Sequence, residues 1–247
     1  MPEQLSWRSV GLTETGLVRK INEDALYVSD PKAHWAVADG MGGHHAGDLA
    51  SQLVVERLDR LPLDASLSRR VDHLEDALIQ ANQELVHMAG GGGKVIGTTV
   101  AGLMFDQGRY LVYWCGDSRV YLFRNGCLNQ ETVDHTLVQE LLEQGRINPT
   151  DVENHPERNV ITRAVGAAPS LYVDMDLRPL QAGDLFLICS DGLDKEISEL
   201  ELTQILGIEG QSLDQIAGRL MSTCLNRTAK DNITLVVISV EETVGIE

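Results

Sequence analysis

The sequence has little positive charge. Its 247 residues include 20 lysines and arginines against 37 aspartates and glutamates, which gives a formal net charge of −17. A nucleic-acid partner is disfavoured, because phosphate backbones are bound by a surplus of basic side chains. An anionic membrane surface is disfavoured for the same reason. If the substrate is itself anionic, bound divalent cations must reverse the sign of the charge locally.

The sequence also lacks the residue spacings of several other protein classes. Its four cysteines form no Cys-x-x-Cys pair, and its seven histidines lack the spacing of zinc ligands. We interpret the cysteines as reduced thiols of a cytoplasmic protein. The first residues lack the features of a signal peptide, and no apolar stretch approaches the ~18 residues that suggest a membrane span. No stretch is composed like a linker, so residues 1–247 are predicted to form one domain, which we expect to be a monomer.

What the sequence does contain is an aspartate at the edge of each of four short apolar runs. These residues are Asp39, Asp117, Asp191 and Asp231. If the runs are strands, the four carboxylates can converge at the ends of sheets, where such a cluster requires shifted pKa values or bound cations. Oxygen ligands are those that Mg²⁺ and Mn²⁺ prefer. Each aspartate alone is more typical of a turn, but their recurrence favours a metal site.

Hydrophobic periodicity predicts grouped strands and grouped helices. Strands are predicted at 7–12, 24–28, 34–38, 98–105, 110–115, 119–124, 171–177, 184–189 and 233–240, and helices at 46–61, 67–88, 137–144, 202–206 and 213–225. The three strands between 98 and 124 resemble a meander. This grouping predicts an α+β fold of stacked sheets faced by helices. The polar, aperiodic segment 145–160 is predicted to be a functional insertion.

A glycine-rich segment follows the first of the four aspartates. It runs from Gly40 to Gly47 and leads into a predicted helix. Its bare backbone can approach a ligand closely, and the Gly40 carbonyl could bind a metal ion beside Asp39. The Gly-Lys-Ser/Thr ending of a nucleotide-binding P-loop is missing, which disfavours that alternative.

A charged segment, residues 19–24, precedes the second predicted strand. Its Arg19 has a planar guanidinium that suits the oxygens of a phosphate, and its Glu23 and Asp24 could hold metal-bound waters. Taken alone, however, the segment is more typical of a solvated turn with surface ion pairs.

Six motifs occur in the order found in the metal-dependent protein phosphatases, the type 2C family, which the chain resembles over nearly its whole length. They are Val18-Arg19-Lys20-Ile21-Asn22-Glu23-Asp24, Val37-Ala38-Asp39-Gly40-Met41-Gly42-Gly43, Gly97-Thr98-Thr99, Gly116-Asp117-Ser118-Arg119, Ser190-Asp191-Gly192-Leu193 and Asp231-Asn232-Ile233-Thr234. The compact length, Met41 and the insertion at 148–160 resemble the bacterial branch. That insertion is similar to the family's mobile flap over the active site.

The resemblance implies a four-layer α-β-β-α fold, in which two antiparallel sheets form a β-sandwich flanked by pairs of helices. It also implies a site for two Mn²⁺ or Mg²⁺ ions. Asp39 would bridge the ions, the Gly40 carbonyl would join it on one ion, and Asp191 and Asp231 would complete the shell of the other. Asp117, together with Asp191, would match the position of a third ion in bacterial relatives.

The reaction implied by the resemblance is the hydrolysis of phosphoserine and phosphothreonine in proteins. Two cations about 4 Å apart would lower the pKa of a bridging water and hold it for in-line attack. Arg19 would stabilise charge on the phosphoryl oxygens. In many eukaryotic relatives a histidine protonates the leaving group, but its position here holds Met41. The alternatives for that role are His44 and a metal-bound water.

Phosphorylated proteins are therefore the expected partners, with an opposing bacterial serine/threonine kinase and its targets among them. One alternative is that the substrate is a phosphorylated regulator of the anti-sigma-antagonist kind. Another is a non-catalytic pseudophosphatase that only binds phosphoproteins. The second alternative is disfavoured because all the implied ligand positions are present in the sequence.

Overall fold

The computed structural model of the chain describes residues 5–42, 46–63, 66–91, 94–106, 108–152 and 155–243. Every predicted strand and helix overlaps an element found there. The strands are β1 (Leu5–Glu14), β2 (Asp24–Ser29), β3 (His34–Met41), β4 (Gly97–Thr98), β5 (Val100–Asp106), β6 (Arg109–Cys115), β7 (Arg119–Arg124), β8 (Cys127–Gln130), β9 (Asp174–Pro179), β10 (Leu185–Cys189) and β11 (Ile233–Glu242). The helices are α1 (Ala46–Asp59), α2 (Leu67–Ala89), α3 (Leu137–Glu143), α4 (Asp191–Asp194), α5 (Glu199–Leu206) and α6 (Leu213–Leu225).

The strands form two antiparallel sheets. The first sheet has the strand order β1-β11-β10-β7-β8. The second has the order β2-β3-β5-β6-β9, and the short β4 pairs with the end of β3. In this arrangement β11 and β10 are neighbours in the first sheet, while β3 lies beside the edge strand β2 in the second.

Three apolar layers hold the sheets and helices together. Alternate residues of both sheets, including Trp35, Phe105 and Phe186, fill the space between them. Helices α1 and α2 cover the outer face of the second sheet, and α5 and α6 cover the outer face of the first. The predicted α+β sandwich with helix pairs outside is confirmed.

The helices begin and end where the sequence indicates. The buried side chains of α2 recur at spacings of three and four, as in Leu74, Leu78, Ala81 and Leu85, and the helix ends at Gly90 with φ +66°. Both α5 and α6 begin with a capping box, in which a serine and the residue three positions later cap each other's backbone. Such a cap contributes about 1 kcal/mol to the stability of a helix.

The predicted meander is wrong. Strands β5 and β6 form a hairpin, but β7 crosses to the first sheet and pairs with β10 and β8. The crossing occurs at Gly116, whose φ of +118° favours glycine and whose missing side chain leaves room for Thr99. Hydrophobic alternation identifies a strand but does not say to which sheet it belongs, so a short connection resembled a hairpin.

Three other elements differ from the sequence prediction. Strand β8 was not predicted, because it is short and its side chains are partly or fully exposed. Helix α4 was not predicted either, because it begins directly after β10 and has only four residues. The strand predicted at 171–177 is displaced, with β9 at Asp174–Pro179.

The predicted insertion at 145–160 is joined to the fold at both ends of its base. The Leu137 N–H donates to the Val160 carbonyl at 2.9 Å, and the Thr162 N–H donates to the His135 carbonyl at 2.8 Å. Within the insertion, Pro149–Asp151 form one turn of 3-10 helix.

All four cysteines are free thiols, as predicted, and three of them are buried. Among the described helices, none is long and apolar enough to cross a membrane.

Candidate active site

The strand-edge aspartates come together at one edge of the sandwich, where strands of both sheets begin or end. Asp39 lies near the end of β3, directly opposite Asp24 at the start of β2. Asp117 lies in the turn where the chain crosses between the sheets. In the first sheet, Asp191 follows β10 and Asp231 precedes β11, and these two strands are paired neighbours. The predicted convergence of carboxylates is therefore present in the fold.

The backbone of Asp39 is held on both sides by threonines. The Asp39 N–H donates to Thr99 Oγ1 at 2.9 Å, and its carbonyl accepts from Thr98 Oγ1 at 3.0 Å and from the Thr99 N–H at 2.8 Å. Both threonines are fully buried. They fix the direction in which the Asp39 carboxylate leaves the strand.

The same threonine connects Asp39 to the crossing between the sheets. Thr99 Oγ1 and Ser118 Oγ are 2.6 Å apart, and both residues are buried. Because Ser118 follows Asp117 directly, this hydroxyl pair fixes the position of one aspartate relative to the other. Both threonines and Ser118 lie within motifs of the sequence, but the sequence indicated no role for them.

Asn232 holds the segment that carries Arg19. Its Oδ1 accepts from the Glu23 N–H at 2.9 Å, and its Nδ2 donates to the carbonyls of Thr15 and Ile21, both at 2.9 Å. The side chain is buried, so all three contacts are shielded from water. The loop from 15 to 23 is thereby attached to the residue that follows Asp231. This role was also missed from the sequence.

The glycine-rich segment after β3 makes close backbone contacts, as expected. The Gly40 N–H donates to the Glu23 carbonyl at 3.0 Å, and a Cβ on Gly40 would overlap the backbones of Glu23 and Gly47. Three backbone segments therefore meet at Gly40, which explains why a side chain is not tolerated there. His44 lies outside the described residues, and its role stays a prediction.

Asp24 is held between the two sheets. Its Oδ2 accepts from Ser190 Oγ at 2.7 Å, and Ser190 Oγ in turn accepts from the Thr234 N–H at 3.0 Å. Because Ser190 precedes Asp191, the serine connects the second sheet to the residue at the start of α4.

Two cationic side chains contact the carboxylates. Arg19 NH2 lies 2.9 Å from Asp231 Oδ1, and Lys195 Nζ lies 3.2 Å from Asp231 Oδ2. Lys195 also forms an ion pair with Asp191, four residues earlier in the chain. Arg19 was predicted from the sequence, whereas Lys195 was not.

A third cation supports α4 from behind. Arg119, at the start of β7, pairs with Asp134 at 2.7 Å and with Asp194 at 3.1 Å. Asp194 is the last residue of α4, so this pairing holds the helix whose first residue is Asp191. A partly buried arginine with two carboxylates is a demanding arrangement, because each charge has lost part of its water.

The carboxylates repel one another strongly. Burial raises the pKa of Asp39 well above its usual range, and the charges of Asp24, Asp191, Asp117 and Asp231 raise it further. Burial likewise raises the pKa of Asp24 to about 6 and that of Asp117 to about 8. The carboxylates of the cluster thus outnumber the cationic side chains that contact them.

Asp231 behaves differently from the other carboxylates. Burial acts to raise its pKa, but the charges of Lys195 and Arg19 outweigh burial and lower it. Asp191 also faces Lys195, yet burial raises its pKa overall.

The donors present suit a hard divalent cation. Among the residues that the structure describes, four buried carboxylate oxygens have no hydrogen-bond partner, namely Asp24 Oδ1, Asp117 Oδ1, Asp191 Oδ1 and Asp194 Oδ1. Unpaired anionic oxygens are the ligands that Mg²⁺ and Mn²⁺ prefer. As the side chains stand, no group of three or more histidine, cysteine, aspartate or glutamate residues in the described ranges is arranged to hold a metal ion. The chemistry of the donors therefore fits, but their final arrangement requires side-chain movement.

Comparison with known proteins identifies the family. Residues 18–234 match the family model of protein phosphatase 2C. The serine/threonine protein phosphatase PstP of Mycobacterium tuberculosis is 36% identical over 235 residues, which are 94% of this chain and 45% of PstP. The chain thus spans about half the length of that relative. The serine/threonine phosphatase stp of Listeria monocytogenes is 34% identical, with 92% of this chain and 93% of the relative covered.

Solved structures agree with the sequence relatives. PppA, described as a key regulatory component of T6SS in Pseudomonas aeruginosa, has a TM-score of 0.87 and 38% identity over 95% of this chain and 98% of its own. The catalytic domain of PstP in complex with two manganese ions has a TM-score of 0.84 and 34% identity over 97% of this chain and 100% of its own. The chain therefore belongs to the protein phosphatase 2C family of metal-dependent serine/threonine protein phosphatases, in its bacterial branch.

Proposed function

We propose that this chain hydrolyses phosphoserine and phosphothreonine in proteins with the help of divalent cations held by the aspartate cluster. The observation that carries the proposal is the convergence of Asp39, Asp117, Asp191 and Asp231 with unpaired buried oxygens on Asp117 and Asp191. The manganese complex of the PstP catalytic domain supports Mn²⁺ as one such ion. Mg²⁺, with the same preference for oxygen, and a third ion at Asp117 are parts of the proposal.

The proposed ligands divide into a central set and an accessory set. Asp39, the Gly40 carbonyl, Asp191 and Asp231 form the central set and would hold two ions, with Asp39 contributing to both. Asp117 would serve the accessory ion. When bound, such ions lower the pKa of a coordinated water and neutralise charge on the phosphoryl group. Glu23 and Asp24, beside this set, would accept hydrogen bonds from waters of the ions.

The chain's own residues would then orient the phosphoryl group. Arg19 is about half exposed at the rim of the cluster, so its guanidinium can reach a bound phosphate and stabilise the oxygens as charge develops. Asn232 would keep the Arg19 segment in place through its three hydrogen bonds. Met41 cannot supply a proton to the leaving alkoxide, so His44 or a water is proposed for that step.

The proposal is tested by D39N. The variant should lose the Mn²⁺-dependent hydrolysis of p-nitrophenyl phosphate, because an amide removes the charge that holds the ions. Mutation of a residue that only supports a metal ligand already lowers activity ~10–100-fold, so we expect D39N to lose ~100-fold or more. D72N, on the exposed side of α2, is the matched control and should keep full activity. Undiminished hydrolysis by D39N would refute the assignment.

Two experiments separate this function from the alternatives. Calorimetry with Mn²⁺ distinguishes an active phosphatase from a pseudophosphatase, because the latter should bind the ion poorly. Release of phosphate from a phosphothreonine peptide then distinguishes hydrolysis from simple capture. A phosphorylated anti-sigma-antagonist regulator and a bacterial serine/threonine kinase remain the proposed substrate classes. Phosphoproteomics of a deletion strain would identify which of them accumulates phosphate.

The insertion at 145–160 is proposed to act as a flap that influences substrate choice. Its base is fixed by backbone hydrogen bonds at Leu137 and Thr162, while most of its described side chains are exposed. Exposed loops on a fixed base are the usual carriers of specificity. We propose that this flap and the rest of residues 1–247 form one catalytic domain.

A further inference from the structure

Lys195 lies where the proposed metal ligands meet. It follows α4 directly and its ammonium contacts carboxylates from two different elements, Asp191 at the start of that helix and Asp231 before β11. About a third of its side chain is exposed, so the contacts are partly shielded from water. Both carboxylates belong to the central ligand set of the proposed function.

A plain surface ion pair does not account for this geometry. A lysine paired with an aspartate four residues earlier is common on helices and contributes little when exposed. Lys195 differs because the second carboxylate comes from a distant segment, the one that precedes β11, and because both partners are themselves largely buried. Its single charge thus stands between two carboxylates that would otherwise repel each other.

The ammonium of Lys195 leaves one oxygen of this carboxylate pair without a partner. Asp191 Oδ1 is buried and has no hydrogen-bond partner even though Asp191 Oδ2 meets the ammonium. No group of three acidic, histidine or cysteine side chains in the described part of the chain is arranged to hold an ion as it stands. The two facts are consistent if the ammonium keeps the carboxylates in an arrangement different from the metal-bound one.

We propose that Lys195 is an internal counter-ion that neutralises Asp191 and Asp231 in the metal-free protein and must leave them when a divalent cation binds. The lysine then sets the metal concentration at which the site is loaded, since each binding event includes the loss of its two ion pairs. This inference rests on the proposed metal site and adds to it a competitor supplied by the chain. Arg19 is a weaker competitor, because among the described carboxylates it forms an ion pair with Asp231 alone and it is more exposed.

Three variants test the competition by calorimetric titration of the metal-free protein with Mn²⁺. K195M removes the charge but keeps a long side chain, and it should bind Mn²⁺ ~10-fold more tightly, because partly buried ion pairs no longer have to be broken. K195R keeps the charge and should bind nearly as the wild type does. K230M is the matched control, because it removes an exposed lysine next to Asp231 and should change the affinity little.

Thermal unfolding in the presence of EDTA gives a second readout. Metal-free K195M should melt ~2–4 °C below the wild type, because the two carboxylates lose their counter-ion. Saturating Mn²⁺ should remove this difference, since the ion then supplies the missing charge. Equal Mn²⁺ affinities of K195M and the wild type would overturn the inference, as would a gain in K230M as large as that in K195M.

A measurement on the wild-type protein covers the case in which K195M does not fold. Acetylation by a small anhydride, followed by mass spectrometry, reports how free each lysine amine is. Addition of Mn²⁺ should raise the modification of Lys195 several-fold and leave Lys230 unchanged; no change at Lys195 would overturn the inference. Failure of the proposed function looks different, because the wild type itself would then show no Mn²⁺ binding.

Discussion

At the scale of single residues, Asn232 offers a sharp test of how Arg19, the arginine proposed to bind the phosphate, is positioned. N232A removes three buried hydrogen bonds and leaves the Glu23 N–H and the carbonyls of Thr15 and Ile21 unpaired. Steady-state kinetics with p-nitrophenyl phosphate should show a KM raised ~10-fold with a smaller change in kcat, because misplaced substrate-binding groups weaken binding before chemistry. Stability should fall by about 1–3 kcal/mol.

The kinetic pattern distinguishes positioning from a purely structural role. If Asn232 only stabilised the fold, thermal unfolding would change while KM stayed at the wild-type value. The Mn²⁺ affinity of N232A should remain near that of the wild type, because Asp231 itself is intact. N129A, on the exposed edge strand β8, is the matched control and should change neither quantity.

The residues of the site were only partly predictable from the sequence. The four aspartates could be found because each stands where an apolar run begins or ends, and the ends of strands are where side chains converge. Lys195 could not, because one lysine directly after a four-residue helix carries no periodic signal. Thr99 and Ser118 were visible as motif members, but the bond between their hydroxyls depends on a contact between two sheets.

At the scale of elements, the flap is the part whose replacement should separate chemistry from specificity. Exchange of residues 147–158 for a glycine-serine segment of equal length leaves the hydrogen bonds at Leu137 and Thr162 in place. Hydrolysis of p-nitrophenyl phosphate should stay within ~3-fold of the wild type, because the exchange touches none of the proposed metal ligands. Discrimination among phosphopeptides of different sequence should decrease. Unaltered peptide preferences would contradict the proposed role of the flap.

The elements themselves followed from local patterns, whereas their assignment to sheets did not. The stripe along α2 and the alternation in β5 and β6 are properties of one segment and were visible in the sequence. The crossing at Gly116 depends on which distant strand offers free hydrogen-bonding groups, here those of β10. That choice also carries Asp117 to the edge of the cluster, so the residue was found from its local pattern although the crossing that positions it was not.

At the scale of the whole molecule, a net charge of −17 means that the acidic cluster lies within a protein that already repels further negative charge. Some of the acidic side chains are buried carboxyl groups, and burial favours their protonated, neutral form. Burial raises the pKa of Asp117 to about 8 and that of Asp194 to about 7. The metal-free protein therefore gains stability from carboxyl groups that keep a proton near neutral pH.

The sign of the resulting pH dependence follows from proton binding. The folded state holds more protons than the unfolded state on these carboxyls, so stability is lost as pH rises through their folded pKa values. Between pH 7 and 8.5, Asp117 alone should cost roughly 1 kcal/mol, or ~2–4 °C in Tm. Buried histidines such as His34, whose pKa is lowered to about 3, are already neutral in both states over most of this range. The measurement is thermal unfolding in EDTA at the two pH values.

Two further measurements complete this prediction. D117N cannot ionise at this position, so its metal-free Tm should fall less between pH 7 and 8.5 than that of the wild type. Saturating Mn²⁺ should reverse the trend in the wild type, because bound cations require the ionised carboxylates and ionisation is favoured at higher pH. A metal-free Tm that rises with pH would show that the carboxyl groups near Asp39 ionise freely, and that their repulsion is relieved by the protein without protons or metal.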